Sequence, residues 1–229
     1  MSHGVSQHSH THAPHAEGGM VIHWAARYDL LVHLLMMGRM RRFHSRIADL
    51  IQAKPGDAVL DVGSGPGDLA LLLAERVGPG GMVAGIDASP EMIARARKKA
   101  QRRHLAVDFR LEPVQSLSFP DHQFDSVVSS FVYHHLPGAD LKRQALSNIA
   151  RVLKPGGQVC IVDFMPPAGY QGAGRMASDR QALVDLLRES GFTDIRSGDQ
   201  LPSLGLLVHL QGTPPPGYVL ACKAAEPGK

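Results

Sequence analysis

An open, doubly wound α/β sheet with helices on both faces is the fold class that this sequence predicts, and three observations predict it. From residue 54 onward, short apolar runs alternate with segments of helical period. The first apolar run ends in an acid and a glycine-rich turn that opens a helix, the arrangement of a ligand-binding parallel sheet. The last two runs are joined by 197–217, which lacks a helical period, so they are expected to pair antiparallel. The expectation is a Rossmann-like sheet of seven strands, mostly parallel with an antiparallel last strand, and a helical lid at its N-terminal side.

Residues 1–19 alternate His3, His8, His10, His12 and His15 with small and polar residues. This composition cannot bury a core and is expected to be a disordered tail. Residues 20–53 form the expected lid: Trp24, Tyr28, Leu31, Leu35 and Met36 recur at helical spacing, Ile47, Leu50 and Ile51 continue it, and Gly38 is the joint. Residues 54–229 form the core. Ala58–Val62, Met82–Ile86, Val107–Leu111, Ser126–Ser130, Val159–Phe164, Phe192–Arg196 and Tyr218–Ala224 read as its strands. Leu69, Leu72, Leu73 and Val77 mark one helix. Met92, Ile93, Ala96 and Ala100 mark a second, with Ser89 as its cap and Pro90 at its first position. Leu141, Ala145, Ile149, Val152 and Leu153 line a third, which Lys154-Pro155-Gly156-Gly157 is expected to stop. Ser178 and Gln181 match a capping box before Leu183, Leu186 and Leu187.

Composition narrows the function classes. The chain has 229 residues, 44% hydrophobic and 20% charged, a formal net charge of +3 and two cysteines. Its length suits one well-cored domain. Two basic clusters, Arg39 to Arg46 and Arg95 to Arg103, sit at helical spacing without an aromatic platform, so a solvated helix face is expected rather than a nucleic-acid groove. No apolar run is long enough to span a membrane, and the histidine-bearing start does not resemble a signal peptide. Cys160 and Cys222 lie in apolar strands as small core residues, which fits a reduced, cytoplasmic compartment.

The chemistry-bearing stretch is Asp61-Val62-Gly63-Ser64-Gly65-Pro66-Gly67-Asp68. A dinucleotide fingerprint would want glycine at 68, and Asp68 stands there. A phosphate-cradling loop would end in Gly-Lys-Ser/Thr, which is absent. The glycine spacing suits a ligand with a ribose and no phosphate. Asp87, which closes the second strand, lies at the offset from which an acid can hold both ribose hydroxyls. S-adenosylmethionine meets these conditions, and Asp61 and Asp68 favour its positive charge.

These residues carry a family resemblance. Asp61–Gly67, Gly85-Ile86-Asp87-Ala88-Ser89-Pro90-Glu91-Met92, Phe124-Asp125-Ser126-Val127, His134-His135-Leu136 and Arg151–Gly157 resemble class I S-adenosylmethionine-dependent methyltransferases. The nearest branch is the ubiquinone/menaquinone-biosynthesis type, which Tyr28-Asp29-Leu30-Leu31 also resembles. The likeness covers roughly residues 24–164. It implies that Gly63, Ser64 and Gly65, with Asp61 and Gly67 framing them, wrap the methionine part. Asp87 would hold the ribose, with Ala88 beside the adenine and Met92 either on its face or in the core. Ser130 and Phe131 would border cofactor and acceptor, and Tyr28 would close over the methionine end. Where the family places an acid for the adenine amino group, this chain has Pro113, preceded by Glu112. That contact is left to Glu112, a backbone carbonyl or water, with the Val114 amide facing the ring.

Methyl transfer from a sulfonium needs alignment and dryness, and a base where the acceptor is a phenol or acidic carbon. His134 or His135, after the fourth strand, is the candidate base or acceptor-orienting residue, or else packs the turn. His33 and His209 are further candidates. No metal site is expected. Leu31, Leu34, Leu35, Met36, Met37 and Met40, with Leu204, Leu206 and Leu207, offer an adaptable apolar lining, so the expected partner is a small or medium apolar or aromatic acceptor. A homodimer is compatible with this reading. The rival readings are a cofactor-binding module without methyl transfer, and an RNA or protein methyltransferase. The expected product is S-adenosylhomocysteine.

Overall fold

The computed structural model describes residues 39–165, 177–199, 201 and 216–225. Tyr28, His33, His209, the histidine-bearing start and the Leu/Met residues at 31–37 and 204–207 lie outside them. The described strands are β1 (Ala58–Val62), β2 (Met82–Asp87), β3 (Asp108–Leu111), β4 (Phe124–Ser130), β5 (Leu153–Phe164), β6 (Phe192–Gly198) and β7 (Pro216–Lys223). The described helices are α1 (Arg39–Leu50), α2 (Asp68–Val77), α3 (Pro90–Arg103), α4 (Gly138–Val152) and α5 (Arg180–Glu189), with a 3-10 turn at Tyr133–His135.

The strands form one sheet in the order β3-β2-β1-β4-β5-β7-β6. β7 runs antiparallel to both of its neighbours, and the other pairs are parallel. From β1 the chain winds outward through β2 to β3, then returns to start β4 on the other side of β1. The strand order therefore reverses between β1 and β4, where a crevice opens at the carboxyl edge.

Two cores lie on opposite faces, as the side-chain period of two requires. Val59, Val83, Phe109, Val128, Cys160 and Val162 pack against α1, α2 and α3. Their chain neighbours Leu60, Ala84, Val127 and Ile161 pack against α4 and α5. Strands buried on both faces read as continuous apolar runs, which is why these segments were visible in the sequence. α1 buries Phe43, His44, Ile47 and Ala48, and the expected joint at Gly38 lies outside the described residues.

Two local expectations are corrected. Lys154-Pro155-Gly156-Gly157 does not stop α4. The helix ends at Val152, and β5 begins at Leu153 and runs through these residues. Leu153 is fully buried and pairs with Phe124, and Lys154 Nζ meets both Asp125 oxygens at 2.8 Å. Tertiary pairing thus wins over the local breaker. Ser178 does not cap α5 either. Asp179 is the N-cap, its Oδ1 accepting from Gln181 N at 2.9 Å and Ala182 N at 3.1 Å. Ser178 turns inward and donates to Asp163.

Candidate active site

β1, β2 and β5 each bring an acid to the carboxyl edge: Asp61, Asp87 and Asp163. The glycine loop follows β1. Gly63 has φ +70°, and Val132 Cγ2 fills the place where its Cβ would stand. Gly67, the N-cap of α2, has φ +85°, and a Cβ there would meet Phe109 Cζ at 2.7 Å. These two glycines are needed for left-handed backbone and for close packing alike. Ser64 N donates to Ile86 O at 2.8 Å, which ties the loop to β2.

Asp87 is held from two sides. Its Oδ2 accepts from Gly65 N at 2.9 Å and its Oδ1 from Ser89 N at 2.8 Å. Burial raises its pKa, and the Ser89 and Gly65 amides oppose that rise. Each oxygen keeps a second lone pair for a hydroxyl. Asp61 is 1% exposed. Burial first, then the charge of Asp87, push its pKa up to about 7, against the Ala70 amide that donates to it. Asp61 Oδ2 and Ser64 Oγ are buried with no hydrogen-bond partner among the described residues. Buried polar atoms are normally paired, so this loop presents orphaned acceptors where a ligand's ammonium and hydroxyl groups would satisfy them. The donor set fits S-adenosylmethionine.

Asp68 does not join them. Lys99 Nζ holds both of its oxygens, at 3.1 and 2.9 Å, so its charge is matched within the protein. Glu112 is also engaged: its carboxylate accepts from Ser118 N at 3.0 Å and Ser118 Oγ at 2.5 Å. The Pro113 carbonyl accepts from Ser116 N at 3.0 Å. Val114 is buried, its side chain in the core beside α4, and Met92 is 3% exposed on the inner stripe of α3. Ala88, exposed, follows Asp87 directly.

On the other side of the crevice, Ser130 ends β4 and Phe131 follows with φ +59°. A bulky residue in left-handed backbone is strained by about 1 kcal/mol or more. Here the Phe131 amide donates to Val162 O at 2.8 Å, and its ring lies between Phe43, at 5.6 Å, and Phe164, at 4.7 Å. The row continues to His134, 5.4 Å from Phe164, and to His135, 3.9 Å from His134. His135 is half-buried, with its pKa lowered by burial first and by His134 second. His134 is fixed: its amide donates to Asp163 Oδ2 at 2.8 Å, and its Nδ1 lies 2.6 Å from Asp163 Oδ1. His134 Nε2 is buried without a partner among the described residues.

The structure thus gathers Asp61, Gly63, Ser64, Gly65, Gly67 and Asp87 on one side of the crevice. Ser130, Phe131, His134 and His135 line the other. Sequence reasoning missed Val132 as the side chain seated on Gly63, the pairing of Asp163 with His134 and the support of Asp163 by Ser178. The available signal was an acid near the end of a parallel strand, as at Asp61 and Asp87. Among the described residues, no group of three or more His, Cys, Asp or Glu side chains is arranged to hold a metal.

Residues 59–157 match the family model described as a methyltransferase domain. A demethylmenaquinone methyltransferase of Thermus thermophilus is 43% identical over 143 residues, 62% of this chain and 63% of that protein. A ubiquinone/menaquinone biosynthesis C-methyltransferase of Geobacter sulfurreducens is 37% identical over 145 residues, 62% of this chain and 56% of that protein. The chain thus spans less than two thirds of the length of these relatives. An S-adenosylmethionine-dependent methyltransferase structure from Aquifex aeolicus superposes with a TM-score of 0.66 at 22% identity, covering 86% of this chain and 96% of that one.

Proposed function

We propose that this chain, whose residues 59–157 match a family model described as a methyltransferase domain, transfers a methyl group from S-adenosylmethionine to a small or medium apolar or aromatic acceptor. The observation that carries this reading is the anchored Asp87 beside the orphaned Asp61 Oδ2 and Ser64 Oγ, at the point where the strand order reverses. When bound, the cofactor supplies an activated methyl group on a sulfonium. The chain's own work is to bind, align and exclude water.

Asp87 receives the ribose hydroxyls, and Asp61 with the Gly63–Gly65 loop receives the amino-acid end. Ala88, Met92, Pro113 and Val114 border the adenine. The adenine amino group is served by Glu112, whose oxygens also accept from Ser118, by a backbone carbonyl or by water. Ser130 and Phe131 border the cofactor and the acceptor. The names of the menaquinone-type relatives favour a quinol-type acceptor. The free thiols of Cys160 and Cys222 suit a reducing, cytoplasmic setting. Among the described residues, no helix is long and apolar enough to cross a membrane.

Calorimetric titration of the full chain with S-adenosylhomocysteine tests the cofactor half. Asp87→Ala removes two charge-assisted contacts and should weaken binding by roughly a hundredfold. Labelled cofactor with a panel of quinols, phenols and small amines tests transfer. Wild-type protein that does not bind S-adenosylhomocysteine would overturn the reading. Binding without transfer to any acceptor would leave a cofactor-binding module.

A further inference from the structure

We infer that His134 is the general base of this site, that Asp163 and Ser178 are its positioning residues, and that the acceptor therefore belongs to the class bearing an ionisable O–H, a phenol or a quinol. The inference rests on the methyl-transfer reading above.

Asp163 is fully buried at the end of β5. It lies against four groups: His134 N at 2.8 Å, Phe164 N at 2.8 Å, Ser178 Oγ at 3.1 Å and His134 Nδ1 at 2.6 Å. Two are amides and one is a hydroxyl, so the carboxylate is the acceptor of the set. Nδ1 is then the nitrogen that carries the proton. Nε2 is left with a free lone pair, buried and without a partner among the described residues. The His134 side chain is only 4% exposed. An imidazole locked at Nδ1 by a buried carboxylate, with the Nε2 lone pair unpaired, is arranged to take a proton.

Its place joins it to the cofactor loop. Val132, two residues before His134, is seated on Gly63. The titratable and charged groups around His134 are Asp163 on β5, His135 beside it and Tyr133 on the same turn. Asp179 at the start of α5 and Lys142 of α4 act on Tyr133. Phe164 and Phe131 extend an apolar wall from the imidazole, its rings tilted by 58° between His134 and Phe164 and by 36° between Phe164 and Phe131. An aromatic acceptor packed against that wall would bring its hydroxyl toward Nε2.

The chemistry selects the class. A neutral amine attacks through its own lone pair and needs no base before the bond forms. A phenol or quinol must lose its O–H proton as the bond forms, whether oxygen or a ring carbon is methylated. The proton passes from the acceptor hydroxyl to Nε2. The electron pair released forms the new bond to the methyl carbon, from oxygen or from the ring carbon to which it is conjugated. The carbon–sulfur pair stays on sulfur, leaving a neutral thioether. Where carbon is methylated, that carbon then releases its own proton and the ring regains aromaticity. His134 ends as an imidazolium against Asp163 and returns its proton to solvent.

Nitrogen-15 NMR of the histidines in the cofactor-free full chain gives a readout independent of turnover. The expected result is a neutral His134 protonated on Nδ1, the minor tautomer of free histidine, which Asp163→Asn should lose. Protonation on Nε2 in the wild-type protein would overturn the proposal whether or not any variant folds. In turnover with reduced 1,4-naphthoquinol, His134→Gln should lower kcat by roughly a hundredfold or more, with S-adenosylhomocysteine affinity unchanged within about twofold. Asp163→Asn should shift the acid limb of the pH–rate profile, and Ser178→Ala should move it less in the same direction. Unchanged kcat in His134→Gln, or methylation of aniline as fast as of the naphthoquinol, would also overturn it. Failure of the wild-type protein to bind S-adenosylhomocysteine would instead strike the function proposed above.

Discussion

Asp61 shows how much one buried carboxyl can cost. Burial and the charge of Asp87 raise its pKa from 3.8 to about 7 in the folded chain. The folded state therefore holds this proton more tightly than the unfolded chain does. Its contribution to stability is greatest below pH 4, falls as pH rises through the window up to about 7, and is flat above that. The full span is roughly 4 kcal/mol, since one pH unit corresponds to about 1.4 kcal/mol. Asp61→Asn removes the charge and keeps the shape. Melting temperatures followed by calorimetry between pH 4.5 and 7 should fall less steeply with pH in the variant than in the wild-type chain. Parallel curves would show that Asp61 does not titrate in this window. The ammonium of a bound cofactor stabilises the charged form, so the same carboxyl that weakens the empty protein near neutral pH strengthens the complex. The wild-type slope should flatten when S-adenosylhomocysteine is present.

At the scale of elements, the start of α5 illustrates what adjacent serine and aspartate can do when only one of them caps. Asp179 satisfies two amides of the first turn, while Ser178 supports Asp163. Asp179→Ala should therefore cost about 1 kcal/mol, read as a drop of about 2–4 °C in melting temperature, and leave the tautomer of His134 unchanged. Ser178→Ala should do the reverse: little change in the first turn of α5, and a measurable effect on the histidine. The sequence pattern points to Ser178 as the cap; that Asp179 caps instead was not legible, because Ser178 is drawn away by Asp163, fifteen residues away in sequence. The same reason hid the partner of His134. The ladder that sets Ser130 of β4 opposite Val162 of β5 brings residues 134 and 163 together, and neither residue's local pattern records that ladder. The glycine loop was legible because its strand, turn, helix and acid are contiguous, and each leaves a local mark: Gly63 and Gly67 in left-handed backbone, Asp87 at a strand end. The aromatic row was not legible, since Phe43, Phe131 and Phe164 come from three separate elements.

At the scale of the whole molecule, the order of the sheet makes the last strand an interior one. β7 lies between β5 and β6, with Val219 and Ala221 fully buried on the α4–α5 face. Tyr218 and Leu220 pack toward the opposite core. β6 pairs only with β7 among the described strands, so it has no place in the sheet until β7 is there. Antiparallel pairing was readable from the missing helical period before Tyr218, but insertion at an interior position was not, because either side of β6 would satisfy the same apolar pattern. The insertion has a consequence for folding. The β1–β4 half and its cofactor loop are built from strands that precede β7, whereas Asp163 and Phe164 stand on β5, opposite Gly217 and Pro216 of β7. Ending the chain before Pro216 should thus expose the β5 edge and release β6. The expected outcome is loss of a single cooperative melting transition by circular dichroism, with the soluble fraction aggregating through the bare edge. A truncated chain that still melted cooperatively within a few degrees of the full chain would show that β7 merely covers a sheet already complete at β5.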